Sequence, residues 1–582
     1  MKTLPPVDVA IVGGGWTGLT MAKELATRTG LKILVLERGG PHKTRDYLDN
    51  MDELDYAIRL RTMQPIRDET VTLRHSVRNR ALPIRQYGSF LPGTGVGGSG
   101  EHWSGISYRY YPHDFQRVSH LVDKYGRARL PENCAVRDWP ISYDDLEPYY
   151  ERAERLMGIS GKAGNLRGTK VEGGNIFEGR RQSEYPTPPM KMPYLAALFR
   201  DATHSLGYHP FPLPAATTSV PYTNPDGVPR AGCAYCGYCE RFGCMIGAKA
   251  QPTNTLMPVL TRRNNFEMRT GAWVRRIVAE GAHVRGVRYA DSRGNEVFQP
   301  ADLVFLASWT LNNTRLLLLS GIGAPYDPET GKGVVGSHLT HQVSVPAATL
   351  FFDKPQNAFM GAGSAGIAIG DFDFLDHTDL DFVSGGALYT VCYGTRPIAN
   401  FGVVPPSVRT RWGAEWKKAA LHNYDRTGLV RFYGEHLAYR DNYMDLDPVY
   451  KDRLGDPLLR LTLDWKDNER NMVRFITNRA VQVGQVMGAV EIQPFQGLKR
   501  YQATRYQGTH IQGGTIIGAK QTDSVVNMYL QGRRARRRRA LPRALPAAGP
   551  RCGFPRGPRP PPGSWRRGSA IRFSEPYHKL AR

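Results

Sequence analysis

The sequence predicts an α/β protein: a Rossmann-like dinucleotide-binding domain, a second domain containing a mostly antiparallel sheet, and a disordered basic tail. Three observations carry this. An apolar strand pattern at 7–12 runs straight into Gly13-Gly14-Gly15-Trp16-Thr17-Gly18 and then into apolar residues at helical spacing. Residues 340–465 alternate apolar and polar in short runs, most clearly at Leu459, Leu461, Leu463 and Trp465. After about Gln531 the composition turns to Arg, Pro, Ala and Gly without periodicity, and such a segment cannot bury enough apolar surface to offset the entropy of ordering.

The first element is the strand Val7, Val9, Ile11, Val12. Leu19, Ala22, Leu25 and Ala26 mark the helix, and Lys32 to Leu36 the next strand, buried on both faces. Gly13, Gly15 and Gly18 satisfy G-x-G-x-x-G in this βαβ setting. The first allows the tight turn, the second admits a pyrophosphate to the backbone, and the third lets helix pack on strand. The helix N-terminus offers free N–H groups and a positive dipole to the phosphates. Glu37 ends the second strand, where a carboxylate can accept from ribose hydroxyls, and Arg38 beside it is assigned to the same site.

Further along, Gly93-Thr94-Gly95-Val96-Gly97-Gly98-Ser99 is glycine-rich but carries Val96 and Trp103, which a solvated linker has little use for. A helix is predicted around 141–160, N-capped by Ser142, then strands over 266–306, a helix through Leu311–Leu319, and another with Met472, Ile476, Ala480, Val483 and Met487 on one face.

A length of 582 residues calls for about two domains or more. No apolar run of about 18 residues exists, so no transmembrane helix is expected. The N-terminus leads directly into the first strand, leaving no room for a signal peptide. The net charge of +24 resembles a nucleic-acid binder, but residues 532–582 hold fourteen Arg and one Lys against one acid, Glu575, and so account for +14 of it. The body is only moderately basic, and no nucleic-acid partner is expected.

Cys233, Cys236, Cys239 and Cys244 place four soft ligands within twelve residues. The gaps resemble a ferredoxin run, C-x2-C-x2-C-x3-C-P, with a longer last gap and Met245 in place of Pro. An iron–sulfur cluster is the reading preferred. A four-thiolate zinc site, strained disulfides and four unligated thiols stand beside it.

Taken together, Gly95, Gly97, Gly98, Ser99, His102 and Trp103 resemble the flavin-covering loop of the glucose–methanol–choline (GMC) oxidoreductases, and Ser308 with Leu316–Gly323 resembles their second signature, more loosely. The resemblance implies a GMC fold: an FAD-binding domain over 1–340 with the cysteine-rich loop 230–250 inserted, a substrate domain over 341–490, and a return to the FAD domain over 491–531. It places Val274 against the adenine. Thr509-His510-Ile511-Gln512-Gly513-Gly514 resembles the segment bearing the family's catalytic histidine, which makes His510 the general base that takes the hydroxyl proton. His338 and His341 are assigned to packing and hydrogen bonding.

The cysteine segment resembles flavoprotein subunits of membrane-bound sugar, polyol and sugar-acid dehydrogenases, the gluconate 2-dehydrogenase type above all. That resemblance implies a three-iron cluster (3Fe-4S) and electron transfer to a cytochrome c subunit. It further implies co-export with a small signal-bearing subunit to the periplasmic face of the inner membrane, with membrane contact only through those partners. The substrate it implies is a sugar acid or polyol. The resemblance stops at Gln531. The family continues with an apolar strand and a segment bearing a second catalytic residue, whereas this chain enters its Arg/Pro tail at 532–582. A reading-frame shift near codon 531 is the reading preferred for that composition, with an impaired enzyme as its expected consequence; a native basic extension that binds nucleic acid or anionic membrane stands beside it.

Overall fold

The computed structural model describes residues 1–47, 52–59, 61–85, 92–281, 283–357, 361–392, 397–502, 510–520, 522–532 and the backbone of 571–573. Strand β1 (Val7–Val12), helix α1 (Trp16–Arg28) and strand β2 (Ile33–Leu36) form the expected βαβ opening. Ile33 to Leu36 are buried throughout, as a parallel strand covered on both faces must be. β3 (Phe266–Arg269) lies parallel to β2, and β6 (Glu296–Leu306) parallel to β1. β4 (Trp273–Glu280) and β5 (His283–Ala290) complete an antiparallel meander, so the sheet order is β3-β2-β1-β6-β5-β4. α2 (Trp309–Leu319) follows β6 and packs against β4.

The second sheet is antiparallel throughout. It runs β11 (Glu491–Pro494), β7 (Val343–Phe351), β10 (Thr427–Gly434), β9 (Gly386–Val391), β8 (Gly366–Ile369), then the short strand Phe211–Pro212. Helix α3 (Asp467–Val486) lies across it. Its Met472, Ile476, Ala480 and Val483 share one core with Leu350, Val430 and Phe432. This is the apolar face predicted from spacing, extended by one turn at its N-terminus. The helix Tyr143–Met157 is N-capped by Ser142, whose hydroxyl accepts the Asp145 N–H at 3.2 Å.

In the tail, Ile571–Phe573 form a short strand parallel to Val304–Leu306 of β6. The C-terminal half of β6 pairs with β1 on one side only, and its other edge accepts any short extended segment through backbone groups, which sequence composition does not reveal. The predicted disorder of the rest of the tail lies outside the described residues. No helix among the described residues is long and apolar enough to cross a membrane.

Candidate functional site

The glycine fingerprint closes where β1, α1 and the end of β6 meet. Gly13 has φ +105°, and a Cβ there would stand 2.5 Å from the Ala307 carbonyl oxygen. One on Gly18 would stand 2.0 Å from that of Gly13. These are the tight turn and the close helix–strand approach expected of the motif. The Glu37 carboxylate, buried, accepts the backbone N–H of Gly14 at 2.9 Å, Gly39 at 2.8 Å and Gly95 at 3.1 Å. It therefore ties the fingerprint to the second glycine loop, a task that sequence spacing did not disclose. Gly97 N–H donates to the Gly14 carbonyl at 2.7 Å, so the two loops lie backbone to backbone.

Gly13, Gly15, Glu37, Arg38, Gly98, Ser99 and Val274 line one crevice of about 120 Å³. The Arg38 guanidinium is held by Glu69 and Gln64 and lies 5.3 Å from the Trp273 ring centre. Ser99 Oγ accepts the Gly93 N–H at 2.8 Å, which folds the second loop upon itself.

Ser99, Ala307 and Trp309 are shared with a larger cavity of about 390 Å³, so the crevice opens into it. Trp309 adopts φ +73° at the start of α2, a left-handed conformation rare for a bulky residue, and stands between the two spaces. His102 and Trp103 form one wall. His102 Nε2 is buried without a hydrogen-bond partner, and burial, aided by the Lys249 and Arg241 charges, holds the ring neutral with its pKa lowered to about 3.

His510 lines the same cavity. β12 (Ile511–Gln512) pairs antiparallel with Thr340–His341, which sets His510 against Gln342. The His510 Nδ1 contacts Gln342 Oε1, and the Gln342 N–H donates to the His510 carbonyl at 3.1 Å. Tyr433 packs edge-on to the imidazole at 5.8 Å. With Nδ1–H donated to an amide oxygen, the neutral ring carries its lone pair on Nε2, the arrangement a general base needs.

His338 also lines the cavity, and burial lowers its pKa to about 4. His341 is fully buried and shares a 2.7 Å hydrogen bond between its Nδ1 and the Tyr501 hydroxyl. Gln342, Arg431, Tyr433, Glu435 and His436 line the cavity as well and were not singled out from the sequence. The signal that was there is the alternation of Arg431, Tyr433 and Glu435 along and just beyond β10. Period two shows that three polar side chains share a face, but not that the face borders a cavity.

The cysteines lie in one loop. Cys239 and Cys244 are buried, Cys233 and Cys236 half-buried, and all four are unpaired thiols, which removes the disulfide alternative for them. Burial pushes the Cys233 thiol up to about 12 and the Cys239 thiol to about 11. Cys233 Sγ accepts the Tyr235 N–H and Cys244 Sγ the Lys249 N–H, each at 3.3 Å. Among the described residues no three His, Cys, Asp or Glu side chains converge on a point that could hold a metal ion. The thiols are thus not drawn up around a single ion such as zinc. Glycines crowded against backbone, the open amide end of α1 and an orphan imidazole nitrogen on the cavity wall suit a dinucleotide bearing a flat heterocycle.

The GMC oxidoreductase family model matches residues 222–343, and a model of the NAD(P)-binding Rossmann-like domain matches 11–60. The chain is 41% identical over 545 residues to the gluconate 2-dehydrogenase flavoprotein of Pantoea cypripedii, covering 91% of this chain and 88% of that protein. It is 26% identical to the fructose dehydrogenase large subunit of Gluconobacter japonicus, covering 90% of each. Among solved structures, pyridoxine 4-oxidase from Mesorbium loti superposes with a TM-score of 0.53 at 17% identity, over 90% of this chain and 92% of that one. That last likeness speaks for the fold alone.

Proposed function

This chain belongs to the GMC oxidoreductases and is an FAD-dependent oxidoreductase acting on CH–OH groups, and on that premise we propose that it oxidises one hydroxyl of a sugar acid or polyol, gluconate first. The observation that carries the site is His510 against Gln342 on the wall of the larger cavity. FAD, when bound, would supply the acceptor for the hydride, and Gly13, Gly15, Glu37, Gly98 and Ser99 of the crevice are the residues that would hold it. The residues of the chain do the rest. His510 Nε2 takes the hydroxyl proton, Gln342 holds the ring in the required tautomer, and Tyr433 fixes its plane.

Electrons leave, in this reading, through an iron–sulfur cluster held by three or four of Cys233, Cys236, Cys239 and Cys244, and then a cytochrome c subunit. The four thiols are the donors such a cluster would use, and relatives named as a flavoprotein and a large subunit support partner subunits. Assembly with a small signal-bearing subunit at the periplasmic face of the inner membrane belongs to the same proposal.

The test is the visible spectrum of the purified chain, with iron and sulfide analysis, before and after anaerobic gluconate. Flavin bands over a broad iron–sulfur shoulder, bleached by gluconate, are expected. Bleaching by fructose or sorbitol but not gluconate would replace the substrate. Flavin that only dithionite bleaches would identify a subunit impaired by its altered C-terminus.

A further inference from the structure

Three consecutive carbonyls, of Glu101 and of the cavity-lining His102 and Trp103, are claimed by the cysteine loop and the residues just after it. The Glu101 carbonyl accepts from Lys249 Nζ at 3.2 Å and from Gln251 Nε2 at 3.0 Å. The His102 carbonyl accepts the Arg241 N–H at 2.6 Å, and the Trp103 carbonyl accepts from Lys249 Nζ at 2.8 Å. In return, the Trp103 indole N–H donates to the Ala250 carbonyl at 2.8 Å.

Lys249 is the residue that reaches both ways. Its ammonium also donates to the carbonyls of Cys239 and Phe242, each at 2.8 Å. The residue is fully buried. Four carbonyls therefore surround one buried ammonium, two from the segment Glu101–Trp103 and two from the cysteine loop. The nearest carboxylate, Glu101, is already engaged by the Tyr47 hydroxyl at 2.8 Å, Gln251 Nε2 at 2.7 Å and the Thr253 hydroxyl at 2.8 Å. A buried charge is costly unless opposed by another. Two of the four cysteines are direct neighbours: the Lys249 backbone N–H donates to Cys244 Sγ at 3.3 Å and its ammonium to the Cys239 carbonyl at 2.8 Å.

We propose that Lys249 is a positioning residue that couples the two centres: it fixes the wall at Glu101–Trp103 relative to the loop at Cys239–Phe242, and its charge balances that of the cysteine thiolates when they act as ligands. The charge-balancing half rests on the iron–sulfur reading above; the mechanical half does not. Disturbing the cysteine loop then loosens the flavin wall, and removing the charge makes a bound cluster harder to reduce.

Two measurements on the full-length holoenzyme test this. The first needs no variant. Hydrogen exchange is followed in peptides covering 97–105, before and after the cysteines are modified with p-hydroxymercuribenzoate. Exchange at 97–105 is expected to rise at least about tenfold, in step with the cysteine loop. Exchange that rises over 233–250 alone would overturn the coupling. The second compares Lys249→Met with Lys191→Met, a half-exposed lysine near Tyr235. The cluster's midpoint potential is read by EPR-monitored titration, and iron per flavin by analysis. Lys249→Met is expected to lower the midpoint potential or to cut iron per flavin several-fold, with Lys191→Met unchanged. Wild-type potential and iron content in Lys249→Met would overturn the charge-balancing half. A wild-type protein without iron would remove the iron–sulfur reading and that half with it, while the exchange experiment still decides the coupling.

Discussion

The His510 imidazole and the Gln342 side chain are joined twice, ring Nδ1 to amide oxygen and Gln342 N–H to the His510 carbonyl at 3.1 Å. The backbone bond fixes where the two residues stand, and the side-chain bond fixes which ring nitrogen is basic. His510→Ala is therefore expected to lower kcat by about 10²- to 10⁴-fold while leaving the flavin bound. Gln342→Leu should lower kcat less and shift the acid limb of the kcat/KM profile. Steady-state kinetics against pH, with flavin absorbance as the control, checks both. An acid limb that survives in His510→Ala would assign the base elsewhere.

The second glycine loop tolerates no side chain at Gly97. Its φ is +99°, and a Cβ would stand 2.0 Å from Glu101 Oε1, a carboxylate held by several donors. Gly97→Ala should cost at least about 1–3 kcal/mol from backbone strain alone and release flavin. Flavin content and thermal unfolding read the two effects separately.

Glu37 is expected to behave as a structural clamp as much as a ligand contact. Glu37→Gln places an amide NH₂ where one carboxylate oxygen now accepts a backbone N–H. Loss of a hydrogen bond to a charged group costs about 1.5–3 kcal/mol. The variant should unfold at lower temperature even with the flavin removed from both proteins. A stability change seen only with flavin present would reduce Glu37 to a ribose contact.

His377 gives a pH test away from the site. It is 4% exposed, packs on Tyr125 and Phe382, and has a buried Nδ1 without a partner. Burial, with the Arg117 and Lys124 charges, lowers its pKa from 6.5 to about 4. Below pH 6.5 the unfolded chain binds a proton that the folded ring refuses. The stability contribution is thus present above pH 6.5 and lost as pH falls toward 4. His377→Phe removes this term, so its stability relative to wild type should improve by about 2 kcal/mol between pH 7.5 and 4.5. Denaturant unfolding at the two pH values measures it. A difference that does not change with pH would mean the ring is protonated in the fold.

The sequence by itself determined the parts of this protein that depend on local pattern. Gly13 and Gly18 announce their turn because a Cβ at either would strike backbone, at 2.5 Å and 2.0 Å. Met472 to Val483 announce their helix because one face must be apolar. The tertiary structure alone decided what long-range contact decides. Glu37 serves three backbone amides, one of them at Gly95, 58 residues away. Gln342 meets His510 only because two short strands pair across 168 residues. Lys249 reads as an ordinary lysine until folding surrounds it with four carbonyls from two loops. Periodicity and spacing report which residues share a face of one element. Which faces meet is set by packing the whole chain, and there the cavity, its base and the tie between the two loops are made.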